Sequence, residues 1–331
     1  MPCRDGAPAQ LFDFPCSGAT GLSTLLCHGV REVFAASCQQ LMSPDFMEGL
    51  ICRVGLVPDA RGEWLYGNAS KYMVPVVAGN AGALRVGLWQ DPSQMAAALS
   101  HLASLSSTRP VQTYIEVGVY AAWTTCIIAA VLRRTSSDHA FAAAAVDVTK
   151  SHISQGTGWL LRRLNVSFVW RAGLDDWLGV HTRMSAGAVD VCFIDGNHSY
   201  AAVRADYDSL SPRCRNVMFH DIEDASTLIV ERHRGGGGVP SLWQQLVAST
   251  RAERRTAFTM QHSVQGPHFG IGFLGPRTSP QSHLHRAVPD EQATFGAWGT
   301  TGEQAWESLC RVRPDMCQLA TARHPYYQSW A

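Results

Sequence analysis

The chain is poor in charge and has no excess of either sign: charged residues make up 16% of its 331 positions, and 27 Lys and Arg balance 27 Asp and Glu. With no run of basic residues either, nucleic acid and anionic membranes are excluded as main partners, and a small neutral or weakly charged substrate fits better. No segment approaches the roughly 20 apolar residues that a bilayer span requires, and Arg4 is followed by no continuous apolar stretch. Ten cysteines are present but none forms a C-x-x-C pair. Cys126 and Cys192 lie inside apolar runs as core thiols do, so a reducing, cytoplasmic setting is expected. Asn68, Asn165 and Asn197 begin N-x-S triplets of the kind that arise by chance, and secretion is disfavoured. No internal repeat is visible.

What is present is an alternation. From about Val111 to Gly275, five short apolar runs ("VQTYIEVGV", "FAAAAVDV", "VSFVWRAG", "VDVCFID", "NVMFHD") are separated by amphipathic stretches, the rhythm of an α/β domain with a mostly parallel sheet. In the last of these stretches Tyr200, Val203, Tyr207 and Leu210 recur at helical spacing, Arg204 and Asp208 are placed for an i,i+4 pair, and Ser199 is the natural N-cap. "TAFTMQHS" and "FGIGFLG" read as an antiparallel edge hairpin turning at Gly266 and Pro267. Ahead of the sheet, "DPSQMAAALSHLASL" predicts a helix with Asp91 as N-cap, Pro92 at its first position, Gln94 in a capping-box-like place, and Met95, Leu99 and Leu102 on one face. This divides the chain into an unassigned N-terminal extension (1–88), an α/β domain (89–275) and a partly disordered C-terminal appendage (276–331). "GGGGVP", residues 235–240, reads as a loop that either closes over a ligand or is a slack connection.

Polar residues gather where the apolar runs end. The first run carries Glu116 and Gly118, and the second ends in Asp147, about 30 residues later, where an acid can accept both hydroxyls of a ribose. Gly118 lets backbone approach a ligand with no Cβ in the way. The loop after the first run lacks the G-x-G-x-x-G pattern of a pyrophosphate cradle, having Tyr120 and Trp123 instead, so a nucleoside without a pyrophosphate suits it: S-adenosylmethionine (SAM). The fourth run ends in Asp195, with His198 three positions on, and the fifth in His220 and Asp221. In a doubly wound sheet these strands lie side by side, roughly 4.8 Å apart. Their acids then converge on a divalent cation, with His198 placed as a proton acceptor.

At these residues the stretch from Trp89 to about Leu274 resembles the class I SAM-dependent methyltransferases, particularly the small-molecule O-methyltransferase branch (methyltransferase domain 24, with the macrocin-type and catechol-type enzymes). "WQDPSQ", "IEVGVYAAWT", "VDVCFIDGNHSYAAVRADYDSL", "FHDIED" and "VPSLWQQL" carry the likeness. It implies a Rossmann-like, doubly wound, seven-stranded, mostly parallel sheet of order 3-2-1-4-5-7-6 with helices on both faces. It implies methyl transfer to a hydroxyl of a small molecule or sugar, with a homo-oligomer left open. It further implies SAM contacts at Glu116, Gly118, Val119, Tyr120, Asp147, Gly173, Leu174 and Asp195, with residues 173 to 175 flanking the adenine. Asp195, His220 and Asp221 would hold the metal, and His198 and Asp195 would be the catalytic pair.

Two departures stand out. Many relatives have glycine where this chain has Ala122, whose methyl would narrow the loop around the methionine moiety. His220 occupies a place where catechol-type enzymes have an acid, and imidazole is a poor Mg²⁺ ligand but a good one for Mn²⁺ or Fe²⁺. Mg²⁺, Mn²⁺ and Fe²⁺ therefore stay open, as does a His220 that hydrogen-bonds to a ligand instead of binding the ion. Bland readings stand beside these: Asp195 in an ordinary D-G-N turn, Asp147 capping a helix that begins near Ser151, structural histidines at 198 and 220, solvated acids at 175, 176, 223 and 224, and packing roles for Trp123, Trp159 and Trp177. Two alternative functions are a metal-dependent oxidative enzyme on the same fold, suggested by His220, and a noncatalytic binding module, suggested by Ala122.

Overall fold

A computed structural model describes residues 16, 23–55, 92–136, 141–184, 187–222, 237–253, 255–260 and 270–276. Three helices come first, α1 (Ser23–Ala35), α2 (Cys38–Leu41) and α3 (Pro44–Gly55), followed by α4 (Pro92–Thr108). Then β1 (Thr113–Val117), α5 (Trp123–Thr135), β2 (Ala142–Asp147), α6 (Gln155–Arg163), β3 (Val166–Trp170), α7 (Leu174–Met184), β4 (Val189–Ile194), α8 (Tyr200–Leu210) and β5 (Cys214–Phe219) alternate. The chain closes with α9 (Gly238–Glu253), β6 (Arg255–Met260) and β7 (Ile271–Pro276).

The seven strands form one sheet of order β3-β2-β1-β4-β5-β7-β6. β1 to β5 run parallel, while β7 pairs antiparallel with both β5 and β6. This is the expected order, and its direction of winding reverses between β1 and β4, where an open α/β sheet leaves a ligand crevice at its carboxyl edge. β1, β2, β4 and β5 are largely buried on both faces, so they contribute alternate residues to two cores. Tyr114, Ala143, Ala145, Phe193 and Met218 join the cluster under α1 and α3–α6, whereas Ile115, Val117, Ala144, Val146 and Ile194 join the one under α7–α9.

The N-terminal residues contribute to that first core. Leu26, Val30, Phe34, Met47 and Leu50 are fully or almost fully buried in the same cluster as the sheet. α1 and α3 cross so closely that a Cβ on Gly29 would lie 2.2 Å from Val54 Cγ2. At the end of α1, Arg134 of α5 donates to the carbonyls of Phe34 (3.2 Å) and Ala36 (3.0 Å), answering acceptors that the helix leaves over.

Several local expectations are met: Ser199 caps α8 by accepting from Ala202 N, Arg204 pairs with Asp208 at 2.8 Å, and Met95, Leu99 and Leu102 are buried. Gln94 Oε1 accepts from Gly270 N at 2.9 Å, tying α4 to the start of β7. α6 begins at Gln155 under a Ser154 cap rather than near Ser151. Val239 and Pro240, read as loop, belong to α9. Cys126 is a buried free thiol as expected, but Cys192 is bonded to Cys214 across β4 and β5, and Cys16 to Cys27. Cys192 thus departs from the core thiol expected. No helix among the described residues is long and apolar enough to cross a membrane. Asp91, Glu223, Asp224, residues 235–236, the turn at Gly266 and Pro267, and residues 277–331 lie outside the described residues.

Candidate active site

Register alone brings the strand-end residues together. Val117 pairs with Ile194 and Ile194 with Phe219, so the residues that follow emerge level with one another. Hydrogen bonds continue past the strands: Gly118 N to Val146 O (2.8 Å), Asp195 N to Val117 O (2.9 Å) and His220 N to Ile194 O (3.1 Å). Gly118 has φ +88°, and a Cβ there would lie 2.2 Å from the Asp195 carbonyl oxygen and 2.3 Å from Gly196 Cα. The first demand on this glycine is thus a crossing of two loops, where the sequence suggested ligand approach.

Four side chains converge beyond that crossing. His198 Nε2 lies 2.9 Å from Asp221 Oδ2, and His220 Nδ1 lies 3.1 Å from Asp195 Oδ1 and 3.2 Å from Asp221 Oδ1. His220 and Asp221 are buried, while the His198 side chain is 43% exposed. Asp221 adopts a left-handed φ of 58°, a conformation that Asp tolerates better than most residues but still at a cost of about 1 kcal/mol. Burial opposes the charge on both imidazoles, but the neighbouring carboxylates win: His220 is raised well above its usual range, and the hydrogen bond and charge of Asp221, with Asp195, raise His198 to about 9. Burial likewise opposes ionisation of Asp221, yet His220 and His198 hold it below the usual carboxylate range.

One carboxylate oxygen each from Asp195 and Asp221 and a ring nitrogen of His198 lie within 4.8 Å of one another, close enough for a metal ion. This donor set differs from the expected one, with His198 in place of His220. The Nδ1 of His220 is directed at both carboxylates, which is the orienting arrangement that sequence left as its alternative.

The other expected positions divide. Asp147 Oδ2 accepts from Tyr120 N at 3.1 Å and its Oδ1 from Val148 N (2.6 Å) and Thr149 N (3.2 Å), so its first task is to hold the β1–α5 loop and its own turn. Tyr120 stacks on His152 with ring centroids 4.5 Å apart. Val119 is buried. Glu116 does not reach an open cleft: it is 1% exposed, accepts a 2.6 Å bond from Tyr114 Oη, and burial raises it to about 8 against the opposing Tyr114 hydrogen bond. Leu174 is a core residue packed with Val117 and Val146, while Gly173 ends the short 3-10 turn after β3. Ala122 caps α5 with φ 58° and is fully buried in the first core. Its methyl is part of that core. Trp123 and Trp177 are buried as expected, and Asp175 pairs with Arg213.

Sequence reasoning missed Tyr114 and the pair Arg171–Asp206. Tyr114 had a signal, since residues two apart on a strand share a face. Arg171 and Asp206, 35 positions apart, had none.

Residues 115–222 match a family model described as a methyltransferase domain. That stretch, about a third of the chain, is similar to methyltransferase domains. Among solved structures, an O-methyltransferase from Bacillus cereus in complex with SAH aligns at 15% identity over 52% of this chain and 77% of its own, with a TM-score of 0.39. TomG from Streptomyces achromogenes, an O-methyltransferase involved in tomaymycin synthesis, solved with SAM, aligns at 14% over 59% and 82%, TM-score 0.42. MycE of the mycinamycin biosynthetic pathway, solved with Mg and SAH, aligns at 16% over 56% and 52%, TM-score 0.36. No curated protein matches the chain.

Proposed function

We propose that the methyltransferase domain transfers the methyl group of SAM to a hydroxyl of a small molecule or sugar, assisted by a divalent cation. The observation that carries this reading is the meeting of Asp195, His198 and Asp221, with donor atoms within 4.8 Å, beside the β1–β4 reversal where the crevice opens. The carboxylates of Asp195 and Asp221 would hold such an ion, with the His198 imidazole kept for proton transfer. A cation held by those two carboxylates would supply Lewis acidity, and its charge would weaken the hold of His198 on its proton.

The chain's own residues do the rest. His220 fixes both carboxylates through Nδ1. His198, the most exposed of the four, meets the acceptor and in its neutral form takes the hydroxyl proton as the oxygen–carbon bond forms. The carbon–sulfur bond breaks with its electron pair left on sulfur, so the products are S-adenosylhomocysteine and a methyl ether. Asp147, at the end of β2, retains lone pairs for a ribose beside the backbone bonds it accepts.

Calorimetric titration of SAM into the protein, with and without a chelator, tests cofactor and cation together. Binding at micromolar concentration that chelation leaves intact, with SAH formed only when Mg²⁺ or Mn²⁺ and a hydroxyl acceptor are supplied, is the expected result. Folded protein that fails to bind SAM at millimolar concentration, or activity indifferent to chelation, would overturn it.

A further inference from the structure

The β3–α7 turn and the β4–α8 loop stand on opposite sides of the crevice, separated by the ends of β2 and β1. One ion pair ties the first of these to α8, the helix that follows the second. Arg171, the first residue after β3, places Nη2 2.5 Å from Oδ1 of Asp206 on α8. Asp206 Oδ2 in turn lies 3.6 Å from the position that a Cβ on Gly196 would take. Gly196 is the residue whose backbone abuts Gly118. Arg171 and Asp206 thus tie the turn after β3 to α8 at a point where the Asp206 carboxylate lies near Gly196, and Gly196 lies near the loop after β1. On the other side of Arg171, Trp170 pairs in register with Asp147, the candidate ribose acceptor.

This pair differs from the exposed ones nearby. The Asp206 side chain is 10% exposed and that of Arg171 33%, whereas Arg204 and Asp208, one turn away on the same helix, are 45% and 53% exposed. An exposed i,i+4 pair contributes little, but a largely buried carboxylate depends on its cation, and removal of one partner strands the other. A pair that costs desolvation and links segments 35 residues apart is placed to fix a distance.

We propose that Arg171 and Asp206 are positioning residues for the nucleoside end of the cofactor, holding the β3–α7 turn and the β4–α8 loop at the separation that SAM requires. The inference rests on the reading of the crevice as the SAM site. The pair sets cofactor affinity and has no part in the cation site.

The test is calorimetric titration of SAM, and separately of Mn²⁺, into wild type and the variants Arg171→Ala, Arg171→Lys, Asp206→Asn and Arg204→Ala, with thermal melting of each. Expected are about tenfold weaker SAM binding for Arg171→Ala and Asp206→Asn, affinity within about threefold of wild type for Arg171→Lys, which keeps the charge, no change for Arg204→Ala, and unaltered Mn²⁺ binding throughout. SAM affinity preserved in Arg171→Ala and Asp206→Asn overturns the proposal, as does a loss that extends equally to Mn²⁺ or to Arg171→Lys. Wild type that is folded yet binds no SAM overturns the methyltransferase reading and the positioning role with it, which separates the two failures.

Discussion

β4 has an acid near each end, Asp190 as its second residue and Asp195 just after its last, and the two differ. Asp190, at the amino end, is 6% exposed, and its Oδ2 accepts from Gln112 N (2.9 Å), Thr113 N (3.1 Å) and Thr113 Oγ1 (3.1 Å), with Arg215 Nε 3.4 Å from Oδ1. Its own N–H donates to Thr113 Oγ1, and its carbonyl accepts from Asn216. Asp195, five residues later, faces His220, His198 and a second acid. The first carboxylate is surrounded by backbone donors and fixes where β1 and β5 start. The second is surrounded by groups that can exchange protons or bind a cation. Burial of an acid therefore does not by itself mark chemistry; the kind of partner does.

The largest effect that would sharpen this contrast is on rate. Asp195→Ala or Asp221→Ala should lower SAH formation about a thousandfold while circular dichroism stays native; activity retained by both would make the two ends of β4 equivalent. Next comes Gly118→Ala, where a methyl must push against backbone at 2.2 Å with φ +88°, and a loss of about 3 kcal/mol or more is expected by denaturant unfolding. Asp190→Ala should cost about 2–3 kcal/mol by leaving buried N–H groups unpaired, with the activity of the folded fraction unchanged; an equal loss of rate would assign chemistry to the amino end as well. The smallest expected effect is at Glu116. Its folded pKa of about 8 exceeds the ordinary 4.5, so the stability it contributes is complete below pH 4.5 and is lost as pH rises through 8. Glu116→Gln should flatten that decline in melts across the range, and a decline of unchanged slope would show that Glu116 ionises freely.

The sheet was legible because its strands are short apolar runs ended by polar residues, and its order followed from the resemblance carried by "FIDGNHSY" and "FHD". The convergence of Asp195 and Asp221 was legible for the same reason, since parallel strands in register present their ends side by side. What lay beyond reading were facts that depend on which surfaces meet. Glu116 looked like a ligand residue because it ends an apolar run, but Tyr114 two positions earlier takes its carboxylate within the strand. Cys192 looked like a core thiol, and its partner becomes known only once β4 lies beside β5. Residues 23–55 showed no clear period, yet α1 and α3 bury their apolar sides against other helices whose positions no local pattern reports.

That last feature sets a lower bound on what can be cut away. The segment matching the family model starts at 115, but the outer surface of α5 is sealed by α1, with Arg134 bonded to the carbonyls of Phe34 and Ala36. A fragment trimmed to the matched borders would present Ile127 and its apolar neighbours to water and leave a buried guanidinium without acceptors. Expression would then yield aggregate, so any minimal catalytic unit has to carry the first three helices with it.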